Sequence, residues 1–141
     1  MLNDDIPDKN LDESHLKCSF GALELELEVP AGVWNPTPNG ILLGETLEQM
    51  DFSNEKVLEL GTGCGIHAVI LGLRGASELL LTEVDGSILG HAERNLQKYG
   101  ITCPVEFLIA DWIQVNQNGF DTVVANPPFA LSNKTYRRYF I

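Results

Sequence analysis

The residues best suited to chemistry in this sequence are a glycine-rich segment, two carboxylates and an asparagine followed by two prolines. The glycines lie within residues 61–65, and Glu83, Asp111 and Asn126 follow them. Glycines let backbone N–H groups approach a ligand because they lack a β-carbon, and carboxylates accept hydrogen bonds from hydroxyl or amino groups. If the fold brings these segments together, the combination indicates a nucleotide site.

The glycine-rich segment is flanked by the elements that such a site needs. An apolar strand is predicted directly before it, over 57–60, and a helix directly after it, over 66–74. A strand, a glycine turn and a helix N-terminus together present N–H groups to a ligand. The dinucleotide fingerprint requires a further glycine at the position of Ile66, so the strict pattern of NAD-binding proteins is not met.

The composition is that of a globular chain of at most one domain. Of its 141 residues, 44% are apolar, and the net charge is −11. Residues 1–59 hold 13 acidic and 3 basic residues, a balance that weighs against tight nucleic-acid binding. No membrane span or secretory signal is predicted, so a cytoplasmic setting is expected. Cys18, Cys64 and Cys103 suggest neither a disulfide framework nor a zinc site.

The order of elements predicts an α/β fold with a mostly parallel sheet and helices on both faces. Residues 1–19 are expected to form a mobile acidic leader, and residues 20–55 a strand, a loop and a helix. That helix is predicted over 41–50, with Asn39 as its N-cap. Over 56–141 strands and helices alternate, which favours right-handed crossovers in a parallel sheet.

The segment from Leu23 to Val29 alternates strictly between apolar residues and glutamates, which predicts a half-exposed strand. Three glutamates on one face would suit a metal ion, but the solvent side of a strand explains them without one. No metal site is therefore predicted. The loop that follows contains Trp34, which would either pack on the core or help to wall a ligand cleft.

Two carboxylates are predicted at the same edge of the sheet. Glu83 follows a strand over 78–82, and Asp111 follows a strand over 105–110. Ligands of doubly wound sheets bind at the carboxyl ends of the strands, where a carboxylate can accept both ribose hydroxyls. Helix capping is the alternative role for Glu83, although Asp85 is better placed for it.

The last predicted strand, over 120–125, ends in Asn126-Pro127-Pro128-Phe129. Two prolines stop a strand, and by composition alone the tetrapeptide indicates only a turn. Its position matters more, because it falls at the carboxyl end of the strand expected beside the glycine turn.

Together these motifs resemble the class I S-adenosylmethionine-dependent methyltransferases. The resemblance depends on residues 59–65, Glu83, Asp111 and residues 126–129. The Asn-Pro-Pro-aromatic motif is similar to that of the release-factor glutamine, adenine-N6 and guanine-N2 methyltransferases, the methyltransferase small domain group. The resemblance implies a Rossmann-like fold and S-adenosyl-L-methionine as cofactor. It also implies methyl transfer to a planar nitrogen of a protein, a nucleobase or a small molecule.

The resemblance further implies roles for the matching residues. The glycine turn would cradle the methionine part of the cofactor, Glu83 would hold the ribose, Val84 would pack on the adenine, and Asp111 would accept the adenine amino group. The full implied cofactor-binding set is Glu59, Gly61, Thr62, Gly63, Gly65, Glu83, Val84, Asp111, Trp112 and Asn126.

The implied catalytic residues are Asn126, Pro127 and Phe129. The Asn126 side-chain oxygen and the Pro127 carbonyl would each accept one N–H of the acceptor nitrogen, while Phe129 would stack on its planar group. The nitrogen lone pair would then point at the sulfonium methyl. No strong base is needed, because the nitrogen becomes acidic only after it gains the methyl group.

Two other classes of protein stay open from the sequence. A non-catalytic cofactor-binding fragment or regulatory module would bind at Glu83 without methyl transfer, and a nicotinamide oxidoreductase is disfavoured by Ile66. We also expect the chain to be the first part of a longer enzyme, because it ends at Ile141 after only four strands of the predicted sheet. An uncovered edge at the fourth strand would favour self-association.

Overall fold

The structure is a computed structural model that describes residues 14–29, 36–111 and 115–126. The elements of these residues in chain order are β1 (Ser14–Phe20), β2 (Leu23–Val29), α1 (Pro38–Glu48), β3 (Lys56–Leu60), α2 (Ile66–Leu73), β4 (Glu78–Glu83), α3 (Gly86–Lys98), β5 (Val105–Ile109) and β6 (Thr122–Ala125).

The four strands β3 to β6 form a parallel sheet in the order β5-β4-β3-β6. The chain builds outward from β3 through β4 to β5, with α2 and α3 as crossovers, and then returns to the other side of β3. A reversal of this kind opens a crevice at the carboxyl ends of the central strands, where doubly wound folds bind their ligands. The predicted α/β class with a Rossmann-like parallel sheet is confirmed.

The central strands are buried on both faces because they are almost entirely apolar. Val57 and its neighbour Leu58 point to opposite faces, and both are buried; Leu79, Leu80 and Leu81 of β4 are buried as well. Burying one such side chain contributes about 1.5–3 kcal/mol. The strands therefore hold their carboxyl ends in a fixed arrangement.

The hairpin of β1 and β2 packs against α1 and α3. Phe20, Leu25 and Leu27 are fully buried on its inner face. The contact with α1 is so close that a β-carbon at Gly44 would overlap the Phe20 ring. The alternation predicted for Leu23–Val29 is confirmed, since its apolar residues face inward and its glutamates lie on the other face.

The outer edge of β2 is bonded by the side chains of Asn95 in α3 and of Tyr99, which directly follows α3. The Glu28 N–H donates to Asn95 Oδ1 at 2.8 Å, and Asn95 Nδ2 donates to the carbonyl oxygens of Glu28 at 3.0 Å and of Cys64 at 2.8 Å. The Tyr99 hydroxyl accepts from the Glu26 N–H at 2.6 Å and donates to the Glu26 carbonyl at 3.1 Å. Buried Asn95 thus joins the hairpin, α3 and the glycine turn.

The interpretation of residues 1–19 as a mobile leader is wrong for residues 14–19, which belong to β1. Cys18 and Phe20 are buried, and the strand pairs along its whole length with β2. The alternation of apolar residues in this segment therefore decides that it forms a strand, although its composition is polar. Residues 1–13 lie outside the described residues.

The bounds and the cap predicted for the first helix are also wrong. The helix begins at Pro38 and ends at Glu48, and its N-cap is Thr37, whose hydroxyl accepts from the Gly40 N–H at 3.0 Å. Proline suits a first helical position because its fixed φ is already helical and its missing N–H has no intrahelical partner there.

No helix in the described part of the chain is long and apolar enough to cross a membrane.

Candidate cofactor-binding site

The glycine turn joins β3 to α2 with left-handed backbone at all three of its glycines. The φ angles are 76° at Gly61, 57° at Gly63 and 88° at Gly65, values at which a β-carbon is strained. A β-carbon at Gly63 would meet no atom within 4 Å, whereas one at Gly65 would lie 3.2 Å from Ala92 of α3. Gly63 therefore faces open space that a ligand can enter, while Gly65 allows α2 to begin against α3.

Glu83 at the end of β4 is bound to this turn. Its Oε2 accepts from the Gly63 N–H at 2.9 Å, and its Oε1 accepts from the N–H of Val84 at 3.1 Å. A carboxylate has about four acceptor positions, so it can accept further hydrogen bonds beside these two. The alternative capping role belongs to Asp85, which is the N-cap of α3 and accepts from the Ser87 N–H at 3.0 Å.

Two exposed apolar side chains flank Glu83. Val84 is 62% exposed, and Ile109, which pairs with Glu83 across β4 and β5, is 66% exposed. A β-carbon at Gly86 would lie 2.5 Å from Ile109 Cδ1, so the start of α3 closes against this residue. Aliphatic side chains in this position suit the flat face of a purine. Ile109 is not predicted from the sequence, because its relation to Glu83 depends on the strand register.

Asp111 and Asn126 lie at the same edge of the sheet. Asp111 comes two residues after β5, Asn126 comes directly after β6, and both are half-buried. Ala125 pairs with Leu60, so Asn126 is level with Gly61 of the turn. The structure therefore brings the turn, Glu83, Asp111 and Asn126 to one edge, as the sequence predicts.

The side chain of Asn126 lies against the first turn of α1. A β-carbon at Gly40 would be 3.0 Å from Asn126 Nδ2, closer than an ordinary contact. A glycine at this position therefore leaves room for the amide. The position of α1 beside the site is not predicted from the sequence, where a glycine near the start of the helix is its one signal.

Glu59 and Thr62 are buried beneath the turn. The Thr62 hydroxyl donates to Glu59 Oε2 at 2.9 Å, and His67 Nδ1 lies 3.7 Å from Glu59 Oε1. Burial alone would lower the pKa of His67, but the carboxylate of Glu59 beside Nδ1 outweighs it and raises that pKa above its usual value. These side chains support the turn from below, and their contact with the cofactor stays a prediction.

Three predicted site residues, Trp112, Pro127 and Phe129, lie outside the described residues, as does Trp34. The second N–H acceptor and the stacking ring of the proposed acceptor site therefore stay predictions.

The described edge fits the parts of S-adenosylmethionine. The Glu83 carboxylate would suit a ribose diol, Val84 and Ile109 would suit the purine, and the open space at Gly63 would leave room for the chain attached to the ribose.

The fold and this edge define a doubly wound, nucleotide-binding α/β protein. Over residues 39–139 the chain matches the family model of the Methyltransferase small domain, and it belongs to that family of S-adenosyl-L-methionine-dependent methyltransferases. The nicotinamide oxidoreductase alternative is set aside by this match.

Three known proteins illustrate the similarity. The tRNA1(Val) (adenine(37)-N6)-methyltransferase of Bacteroides fragilis is 30% identical over 95 residues, which are 64% of this chain and 39% of the relative. The release factor glutamine methyltransferase of Buchnera aphidicola is 37% identical over 84 residues, 56% of this chain and 28% of the relative. One solved structure is that of the Pyrococcus abyssi tRNA (uracil-54, C5)-methyltransferase in complex with S-adenosyl-L-homocysteine. Its TM-score is 0.61 and its sequence identity is 20%, and the match covers 88% of this chain and 31% of that chain. The chain spans less than half the length of each.

Proposed function

We propose that this chain transfers a methyl group from S-adenosyl-L-methionine to a planar nitrogen, either an amide or an exocyclic amine. The observation that carries the proposal is the position of Asn126, level with Gly61 and at the same edge as Glu83. A hydrogen-bonding amide therefore lies beside the cofactor site, on the neighbouring strand. The motif that begins at Asn126 is the one that resembles N-methyltransferases.

Each described side chain has a separate task in this proposal. Glu83 accepts the ribose hydroxyls, Val84 and Ile109 pack on the adenine, and Asp111 accepts the adenine amino group. The cofactor, when bound, supplies an electrophilic methyl group on a sulfonium. The chain contributes binding, orientation and exclusion of water, which are sufficient when no proton must leave before the attack.

Asn126 orients the acceptor nitrogen. The lone pair of an amide or aniline-like nitrogen is delocalised, so hydrogen bonds that fix its N–H groups favour the pyramidal form in which the lone pair is available. The atom of the Asn126 amide that faces Gly40 of α1 is Nδ2. The hydrogen-bond acceptor in this proposal is the other terminal atom, Oδ1. The Pro127 carbonyl and the Phe129 ring complete the acceptor site in this proposal.

The relatives suggest two acceptors of this chemical class. One is named for an adenine of tRNA and another for a glutamine of a release factor, and both acceptor nitrogens are planar. The net charge of −11 repels a phosphate backbone and favours the protein acceptor. A cytoplasmic setting is part of the same proposal.

The test is transfer of tritium-labelled methyl from S-adenosyl-L-methionine to unmodified tRNA and to release factor in separate reactions. We expect label on one acceptor with the wild-type chain and with Asn118→Ala, an exposed asparagine before β6, and loss of label with Asn126→Ala. If neither acceptor gains label while the cofactor still binds, the proposal is contradicted and the chain is a non-catalytic cofactor-binding module.

A further inference from the structure

We propose that His67 is a positioning residue that fixes the first turn of α1 beside the Asn126 amide. This inference rests on the proposed function, because that function gives Asn126 its role toward the acceptor. His67 is the second residue of α2 and is only 9% exposed, so it is outside the open part of the site. It therefore acts through its neighbours, and not by touching a substrate.

The first link in this arrangement is a buried hydrogen bond from α2 to α1. His67 Nε2 lies 2.8 Å from the carbonyl oxygen of Gly40. A carbonyl oxygen only accepts, so Nε2 carries the proton and donates it. Gly40 is also the residue whose missing β-carbon leaves room for Asn126 Nδ2. The bond therefore holds the backbone against which the amide of Asn126 lies.

The second link runs from the same ring to the glycine turn. His67 Nδ1 faces Glu59 Oε1 at 3.7 Å, and the other oxygen of Glu59 accepts from the Thr62 hydroxyl at 2.9 Å. A path of neighbouring groups thus leads from Asn126, through Gly40 and His67, to Glu59 and the glycine turn.

The choice of residue supports a bridging role over simple filling of space. The next four positions of α2, residues 68–71, are fully buried and aliphatic. An aliphatic side chain at position 67 would fill the interior without the cost of burying a polar ring, which is about 1–3 kcal/mol when its hydrogen bonds are not made. The Nε2 bond to the Gly40 carbonyl, together with the Glu59 carboxylate 3.7 Å from Nδ1, offsets that cost.

The test compares His67→Leu, which keeps a similar volume but has no donor, with His67→Gln, which can still donate to the Gly40 carbonyl. We expect the side-chain amide NMR resonances of Asn126 to shift in His67→Leu and to return toward the wild-type positions in His67→Gln. The matched control is His91→Leu, because His91 lies on α3 and its Nδ1 is 2.7 Å from Glu28 Oε1 of β2. We expect the Asn126 resonances to be unchanged in this control.

Kinetics on the acceptor that gains label provide a second readout. We expect kcat to fall at least about tenfold in His67→Leu, while KM for S-adenosyl-L-methionine stays within about twofold, since the acceptor amide and not the cofactor is displaced. A merely structural role would lower the stability of the fold without this split. Rescue of kcat by His67→Gln is part of the expected result.

A second variant keeps the inference testable if His67→Leu fails to fold. Gly40→Ala reaches the same amide from the other side, with His67 intact, and is expected to shift the same Asn126 resonances. Unchanged resonances in folded His67→Leu, or in Gly40→Ala, would overturn the inference. If the resonances shift but no acceptor gains label, the proposed function fails and the link between His67 and Asn126 stands.

Discussion

The Gly63 N–H donates a hydrogen bond of 2.9 Å to the carboxylate of Glu83, so the turn after β3 is joined to the end of β4. The contact holds the carboxylate beside Gly63, where a β-carbon would meet no atom within 4 Å. A group that is already in position loses little conformational entropy on binding, which favours affinity. The two residues therefore form the centre of the candidate cofactor site.

Replacing Asn126 by alanine removes the proposed hydrogen-bond acceptor for the substrate nitrogen. We expect turnover to fall by about 10²-fold or more, with cofactor affinity nearly unchanged, because the lost interaction belongs to the transition state. Methyl transfer and calorimetry on the same preparation measure the two effects, with Asn118→Ala as control. Unchanged turnover would remove Asn126 from the mechanism.

Gly63→Ala and Gly100→Ala form a matched pair. Both glycines have left-handed φ, 57° and 69°, and a β-carbon at either would meet no atom within 4 Å. Each substitution is expected to cost about 1–2 kcal/mol of stability from backbone strain. Only Gly63→Ala is expected to weaken cofactor binding, which calorimetry measures. Equal cofactor affinity of the two variants would show that the space at Gly63 is not used by the cofactor.

Asn95→Leu is expected to lower the free energy of unfolding by about 2–4 kcal/mol. The buried amide bonds to both backbone groups of Glu28 and to the Cys64 carbonyl, and all three lose a partner in the variant. Urea denaturation gives the change, with exposed Gln97→Leu on the same helix as the control. A loss below about 1 kcal/mol would mean that other groups replace these bonds.

The ion pair of Glu28 is expected to make stability depend on acid pH. Hydrogen bonds from Arg94, and to a lesser extent from His91, lower the pKa of Glu28 from 4.5 to about 2. A carboxyl pKa that is lower in the folded state stabilises the fold above pH 4.5, and the contribution is lost as the pH falls toward 2. Denaturation at a series of pH values measures this dependence. The free energy of unfolding of Glu28→Gln should change less over this pH interval than that of the wild type.

Exposure to solvent limits the contribution of the Glu28 ion pair to stability. The Glu28 side chain is 36% exposed, so the pair contributes less than about 1 kcal/mol at neutral pH and less again at high salt. Glu24→Gln, an exposed glutamate on the same face of β2, is the control. An identical pH dependence in wild type and Glu28→Gln would contradict the assignment.

The parallel sheet and the cofactor edge could be predicted because their signals are local. The apolar run before the glycine turn and the run before Glu83 each specify a buried strand, and parallel pairing then brings their ends together. The predicted ends of these strands agree with the structure to within one residue. The position of Glu83 at the end of β4 could therefore be predicted from spacing alone, while its role toward the cofactor stays a prediction.

The contacts around α1 could not be predicted, because they join residues far apart in the chain. Nothing local to His67 indicates that it bonds to Gly40, and nothing local to Gly40 indicates that it lies against Asn126. Similarly, Ile109 acquires its position only through the register of β5 with β4. The strand β1 was missed because its alternation is short and lies in a polar segment.

The most direct test of the cofactor site is calorimetric titration of the chain with S-adenosyl-L-methionine and, separately, with NAD. The titrations are repeated on Glu83→Gln and on Glu93→Gln, an exposed glutamate of α3. We predict binding of S-adenosyl-L-methionine alone, weakened about tenfold or more in Glu83→Gln and unchanged in Glu93→Gln. Absence of binding, binding of NAD instead, or equal affinity in Glu83→Gln would contradict the assignment of the site.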